Sequence, residues 1–161
     1  MTEDAAGPCD PPASCVCEGD LLEPNDSSDR RSLITSQTLS PFESNLRITD
    51  LNIHHGDDED WISVLVDSPE GNPILTVTVS SASRAADYVV SAFYTCPESS
   101  PEPACIVGAF DESYLDGGCV GARRVSLQSN CDRDGGAITI RIRAPSGSSL
   151  CDPYQLDVDV R

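Results

Sequence analysis

The sequence predicts an all-β protein, a sandwich of about eight strands stapled by disulfides. Three observations predict it: short apolar runs alternate with period two, turn-forming residues separate them, and no segment keeps a 3.6-residue period over three turns. Many short strands with one polar face each are typical of a sandwich. A chain of 161 residues is long enough for one domain with a real core.

Eight runs rich in Val, Ile, Thr and Tyr are the candidate strands. In chain order they span 32–39, 45–53, 60–66, 73–80, 87–95, 122–129, 137–144 and 154–160. Clusters of Gly, Pro and Asp separate them, as turns require. In the run ITIRIRA we expect the three isoleucines, Ile138, Ile140 and Ile142, to face the core. Thr139, Arg141 and Arg143 then take the other face, and Trp61, which opens a strand, is predicted to be a core residue.

Two regions interrupt this pattern. Residues 1–19 are rich in Pro, Ala and Cys without a period, so we predict an irregular arm before a domain spanning 20–161. Residues 96–119 lack the alternating pattern, and within them CPESSPEPAC, residues 96–105, is predicted to be a loop. A Cys96–Cys105 bridge would close that loop and contribute about 2–3 kcal/mol.

The cysteine count is even and high. The eight are Cys9, Cys15, Cys17, Cys96, Cys105, Cys119, Cys131 and Cys151. They form no CxxC pair and no histidine lies at zinc-finger spacing from them, so a zinc-finger or iron–sulfur site is not supported. Disulfides and an oxidising compartment are expected, with the pairing left open and reduced buried thiols as the alternative.

The net charge of −17, with Arg as the only basic residue type, limits the kinds of partner that the protein can bind. Such a surface repels phosphate backbones and anionic headgroups, so we expect neither nucleic-acid binding nor electrostatic membrane binding. No run of 18 apolar residues predicts a membrane span. A signal-peptide core is also missing, and we expect a secretion leader to be absent from this chain.

Acidic residues concentrate in GDLLEPNDSSD, residues 19–29, and again in GDDEDW, residues 56–61. Ca²⁺ takes six to eight hard oxygen ligands in irregular geometry, which carboxylates and an amide from non-helical segments can supply. The predicted calcium ligands are Asp20, Glu23, Asn25, Asp26, Asp58 and Asp60. The alternative is that residues 25–27 only form a turn, with solvated carboxylates around them.

Three motifs together resemble a known family. They are the Asp20–Asp26 run DLLEPND, the strand entry from Asp58 to Trp61, and YQLDV at 154–158. In order and spacing they resemble the bacterial pre-peptidase C-terminal domain, over roughly residues 20–160. The resemblance implies a jelly-roll-like sandwich of two antiparallel sheets, found on secreted proteins and similar to the collagen-binding domains of collagenases. It also implies, for some members, Ca²⁺ where the acidic segment meets the sandwich.

No catalytic constellation is evident. His54 and His55 are adjacent, and neighbours in a strand point to opposite faces, so we do not expect them to share one metal. One of them, beside Asp57 or Asp58, is the only candidate base or transition-metal ligand. Nucleophile-elbow, zinc-protease and phosphate-loop motifs are missing, so we predict that the protein is not an enzyme.

We therefore expect a secreted or cell-surface bacterial module, calcium-stabilised and non-catalytic. It would dock a parent protein onto a matrix, glycan or protein surface. One alternative is a structural subunit of an extracellular assembly, self-associating through the N-terminal arm or an open edge strand. The other is a hydrolase, which would need a deep polar pocket near His54 and His55. The sequence leaves the ligand and the oligomeric state open.

Overall fold

The computed structural model describes residues 17–41, 45–68, 72–82, 87–97, 102–114, 117–131, 135–145 and 150–161. These residues form eleven strands. They are β1 (Ser32–Leu39), β2 (Leu46–Leu51), β3 (Asp60–Val66), β4 (Ile74–Ser81), β5 (Val89–Thr95), β6 (Ala104–Val107), β7 (Ala109–Asp111), β8 (Gly118–Ala122), β9 (Arg124–Gln128), β10 (Gly136–Arg143) and β11 (Tyr154–Val160).

The strands form two sheets that share one core. Sheet A has the order β1-β3-β10-β5-β8-β7, and sheet B the order β2-β11-β4-β9-β6. The pairings are antiparallel except that of β1, which runs parallel to β3 at the edge of sheet A. The predicted all-β sandwich is thus confirmed, and the eight predicted runs correspond to eight of these strands.

The core lies between the sheets and follows the predicted alternation. Ile138, Ile140 and Ile142 are completely buried in it, together with alternate residues of β3, β4 and β11. Trp61 is buried as predicted, but on the opposite face of sheet A, where its ring stacks on Phe93 with centroids 6.2 Å apart. Arg141 covers this outer cluster, with its guanidinium carbon 5.4 Å from the Trp61 ring.

The sequence predicts no strand within residues 96–119, and the structure corrects this: β6, β7 and the first residues of β8 lie there and extend both sheets. Of the predicted loop 96–105, residues 98–101 lie outside the described residues, and β6 begins at Ala104. These strands have three to five residues, and Ile106, Val107 and Phe110 are exposed, so the period-two signal is missing. The segment therefore has strand structure without the alternation that would have revealed it.

Three disulfides link described cysteines, and the predicted Cys96–Cys105 bridge is wrong. The pairs are Cys17–Cys151, Cys96–Cys131 and Cys105–Cys119. Cys96 follows β5 in sheet A, whereas Cys105 lies on β6 in sheet B and bonds across the core to β8. Cys9, Cys15 and most of the predicted arm lie outside the described residues. The three bridges indicate folding in an oxidising compartment.

Within the described ranges, the structure has no helix long and apolar enough to cross a membrane.

Candidate metal centre

The segment before β1 is held against the start of β3 and the loop that precedes it. The carbonyl of Asn25 accepts a hydrogen bond of 3.0 Å from the backbone N–H of Trp61. Asp20 accepts from the backbone N–H of Leu22 at 2.8 Å and, through its other oxygen, from that of Asn52 at 2.9 Å. The acidic segment and the Asp58–Trp61 entry therefore meet, as the calcium prediction requires.

The first group of converging side chains contains only oxygen donors. Carboxylate oxygens of Glu23, Asp58 and Asp60 all lie within 4.8 Å of one another. The buried amide of Asn25 lies 3.1 Å from both Asp60 Oδ1 and Glu23 Oε2, and its nitrogen donates to both when turned towards them. The hydroxyl of buried Tyr154 donates to the other Asp60 oxygen and so orients that carboxylate.

Several oxygens in this centre are buried without a hydrogen-bond partner. They are Glu23 Oε1, Asp26 Oδ1 and Asp58 Oδ1. A carboxylate oxygen withdrawn from water is costly unless a donor or a cation compensates it. The residues present therefore fit a metal ion, and the acidic cluster could hold one.

The electrostatics of the cluster agree with its geometry. Burial raises the pKa of Glu23 and of Asp58 above their ordinary values, because it disfavours the charged forms. Burial raises the pKa of Asp60 well above its ordinary value, and the charges of Asp58, Asp20 and Glu23 add to this. A bound cation would relieve this repulsion.

A second group adds nitrogen donors. Ligand atoms of Asp26, His54, His55 and Asp58 also lie within 4.8 Å of one another, so Asp58 belongs to both groups. The two imidazole rings do not point to opposite faces, because their centroids are 4.3 Å apart. Residues 52–59 form a loop rather than a strand, and the alternation assumed from the sequence does not apply there.

The predicted ligands thus fall into three sets. Glu23, Asn25, Asp58 and Asp60 come together in the oxygen group, and Asp26 joins Asp58 in the second group. Asp20 uses both oxygens to fasten the segment to Leu22 and Asn52. Sequence reasoning assigned no site role to Tyr154, although it opens the YQLDV motif, and it excluded a shared role for the adjacent His54 and His55.

Two open pockets lie on the described surface, one with Tyr154 and the other with Asp58 in its lining. One of about 370 Å³ is lined by residues of β2, β4 and β11, including Thr49, Ser80 and Gln155. The other, of about 240 Å³, is lined by residues 56–59 and by Arg143. Neither lining includes His54 or His55, which the hydrolase alternative would require.

Fold and site together define a disulfide-linked β-sandwich with a buried acidic centre that could hold a metal ion. Solved structures similar to this chain include a pre-peptidase C-terminal domain of collagenase from Bacillus anthracis, with TM-score 0.38 and 8% identity over 81% of this chain and 96% of that chain. The family that the sequence resembles is therefore also among the structural matches.

Two further matches are a periplasmic inhibitor of g-type lysozyme and a copper-binding protein. The inhibitor, PliG from Aeromonas hydrophila, has TM-score 0.35 and 17% identity over 77% of this chain and 96% of its own. The surface-associated copper-binding protein CorA of Methylomicrobium album has TM-score 0.38 and 8% identity over 78% and 97%. No protein-family model and no curated protein matches the chain.

Proposed function

We propose that the chain is a secreted, non-catalytic accessory module in which Ca²⁺ clamps the acidic N-terminal segment to the sandwich. The module comprises residues 20–161, preceded by the arm 1–19, and docks a parent protein onto a matrix, glycan or protein surface. The observation that carries the proposal is the convergence of Glu23, from one segment, with Asp58 and Asp60 from another, in a buried centre with unpaired oxygens.

The donor chemistry favours calcium for the oxygen group. Glu23, Asp58 and Asp60 supply carboxylates, Asn25 supplies an amide oxygen that faces Glu23 and Asp60, and Asp26 lies within reach of Asp58. Hard oxygens in an irregular arrangement suit Ca²⁺, and water completes its six to eight ligands.

A clamp at this position has a mechanical effect. Glu23 and Asn25 belong to the segment before β1, whereas Asp60 begins β3, the strand next to β1 in sheet A. A shared cation therefore ties the incoming chain to the first residue of an inner strand of sheet A and fixes the direction in which it enters the sandwich. Such stiffening suits a module that positions a neighbouring domain, and it requires no catalytic group.

The proposal predicts a calcium-dependent melting temperature. Ca²⁺ at 100 times its Kd should stabilise the fold by about 2.7 kcal/mol, or roughly 5–10 °C for a chain of this size. Chelator should reverse the rise. The measurement is calorimetric melting of the whole chain in chelator and in CaCl₂.

Two variants make the assignment specific. Glu23→Gln and Asp60→Asn should each abolish most of the rise, since each removes a charged ligand. Asp29→Asn is the matched control, because Asp29 belongs to the same segment but is exposed. A wild-type melting curve that is identical in CaCl₂ and chelator would count against the calcium site.

A further inference from the structure

We propose that Asp26, His54, His55 and Asp58 form a second metal site, which binds a divalent transition metal of the zinc–copper kind. It shares Asp58 with the oxygen group but uses two imidazole nitrogens, which the calcium clamp does not need. This site goes beyond the proposed function and can exist whether or not Ca²⁺ binds.

The position of His54 is the first argument. Its Nδ1 lies 2.7 Å from Asp58 Oδ2 and 3.0 Å from Glu23 Oε1, yet it forms no hydrogen bond with either. Two ligands of one tetrahedral zinc-like ion, each about 2.0–2.1 Å from the metal, are themselves about 3.3 Å apart. His54 Nδ1 and Asp58 Oδ2 therefore need to separate by only about 0.6 Å to share one ion, and the contact with Glu23 is not used.

Asp58 supplies an independent argument. Its side chain is fully buried, and its Oδ1 has no hydrogen-bond partner. Asp26 Oδ1, in the same group, is also buried and unpaired. Two unpaired carboxylate oxygens beside two imidazoles would be stabilised by a cation that both carboxylate oxygen and imidazole nitrogen can ligate.

The backbone holds the histidines in place. The N–H of His54 donates to Asp58 Oδ2 at 2.7 Å, and the N–H of Asp58 donates to the carbonyl of His55 at 3.1 Å. The carbonyl of His54 accepts from the N–H of Cys17 at 3.4 Å, and Cys17 is bonded to Cys151. The turn that presents both imidazoles is therefore closed on itself and anchored to a disulfide.

The donor set decides the class of metal. Imidazole nitrogen suits zinc, copper and nickel, whereas calcium and magnesium prefer oxygen alone. Two histidines and two carboxylates match the four ligands of a tetrahedral zinc site. The two adjacent groups thus differ in the metal that they select. Because Asp58 belongs to both groups, binding of one ion would change the affinity for the other.

The test is a titration of the whole folded chain with ZnCl₂ alone, followed by calorimetry, beside a CaCl₂ titration. His55→Ala should weaken Zn²⁺ binding by about tenfold or more and leave the calcium-induced melting shift unchanged. Gly56→Ala is the matched control, because a Cβ there would meet no atom within 4 Å. Glu23→Gln should give the converse result, losing the calcium response and keeping Zn²⁺ affinity within tenfold.

A measurement on the wild-type chain keeps the test independent of variant folding. On Zn²⁺ addition, the ring-nitrogen NMR signals of both histidines should shift, with one equivalent sufficient. Unshifted signals, or Zn²⁺ affinity unchanged in His55→Ala, would overturn the second site and leave only diffuse attraction to an acidic surface. Equal loss of Zn²⁺ and Ca²⁺ binding in both variants would also overturn it, because one site would then serve both ions.

Discussion

At the scale of single residues, Asp111 and Arg141 show how charge is accommodated on the outer face of sheet A. Arg141 Nη2 donates to Asp111 Oδ2 at 3.1 Å and to Ser113 Oγ at 3.0 Å, and Ser91 Oγ donates to the same Asp111 oxygen at 2.8 Å. Burial alone would raise the pKa of Asp111, but the hydrogen bonds from Ser113 and Ser91 and the charge of Arg141 outweigh it. The pKa is therefore lowered below its ordinary value.

Asp111→Asn should destabilise the fold by about 2 kcal/mol at pH 7. A carboxyl whose pKa is lower in the folded state than in the unfolded state stabilises the fold at pH values above its unfolded-state pKa, here 3.8. This stabilisation is lost as the pH falls through the folded-state pKa. The difference in the free energy of unfolding between variant and wild type should therefore be constant from pH 7 to about 4.5 and should shrink below pH 3.8. Urea unfolding across this range measures it.

The control for this change is Asp159→Asn. Asp159 pairs with Arg161, whose side chain is 80% exposed, so its removal should cost under about 0.5 kcal/mol. If the difference in unfolding free energy between Asp111→Asn and wild type were as large at pH 3 as at pH 7, the ionised carboxylate of Asp111 would not be the source of the stabilisation.

Some residues of the candidate centre could be predicted from the sequence and others could not. Glu23, Asn25, Asp58 and Asp60 could be nominated because their donor atoms and motif spacing suit a hard cation, and the structure brings them together. Their role as calcium ligands stays a prediction. His55 could not be placed, since the alternation rule assumes a strand and the chain there turns.

At the scale of elements, β8 shows why part of the fold was missed. A Cβ at Gly118 would lie 2.3 Å from the Ala92 carbonyl oxygen, and one at Gly121 would lie 2.2 Å from that of Arg124. Both glycines are needed because neighbouring backbone approaches closely. In sequence, the same glycines suggest turns, whereas the long alternating strands β4, β10 and β11 were recognisable from their period.

The disulfides should differ in what they stabilise. Cys105 and Cys119 are 14 residues apart, and replacing both by Ser should cost about 3 kcal/mol without affecting calcium. Cys17 and Cys151 are 134 apart, and their replacement should cost about 4–5 kcal/mol. It should also weaken Ca²⁺ binding, because the bridge anchors the start of the acidic segment.

Urea unfolding and CaCl₂ titration of the two double variants measure these effects, each variant serving as the other's control. Calcium affinity retained in full by the Cys17→Ser, Cys151→Ser variant would show that the acidic segment is positioned without its disulfide.

At the scale of the whole molecule, a net charge of −17 opposes compaction. The metal-free chain should melt at a higher temperature in 1 M than in 0.01 M NaCl, because the screening length falls from about 30 Å to about 3 Å. Melting in chelator across this salt range measures it. The calcium-induced rise should persist at 1 M NaCl, since buried ligands are screened less. A metal-free melting temperature that falls with salt would contradict the self-repulsion.

Sheet architecture was predictable at this scale because most strands have one face in the shared core. The parallel docking of β1 on β3 was not, since strand order depends on contacts between distant segments that no local pattern records. A net charge of −17 does not identify a partner either.

The bond between Cys17 and Cys151 also determines how the molecule transmits mechanical force. Tension applied to the chain outside these two residues would pass through the sulfur–sulfur bond and bypass β1 to β10, which lie between them. Strand β11 follows Cys151 and would carry the force directly, so its hydrogen bonds to β2 and β4 are the ones that resist extension of the C-terminal end.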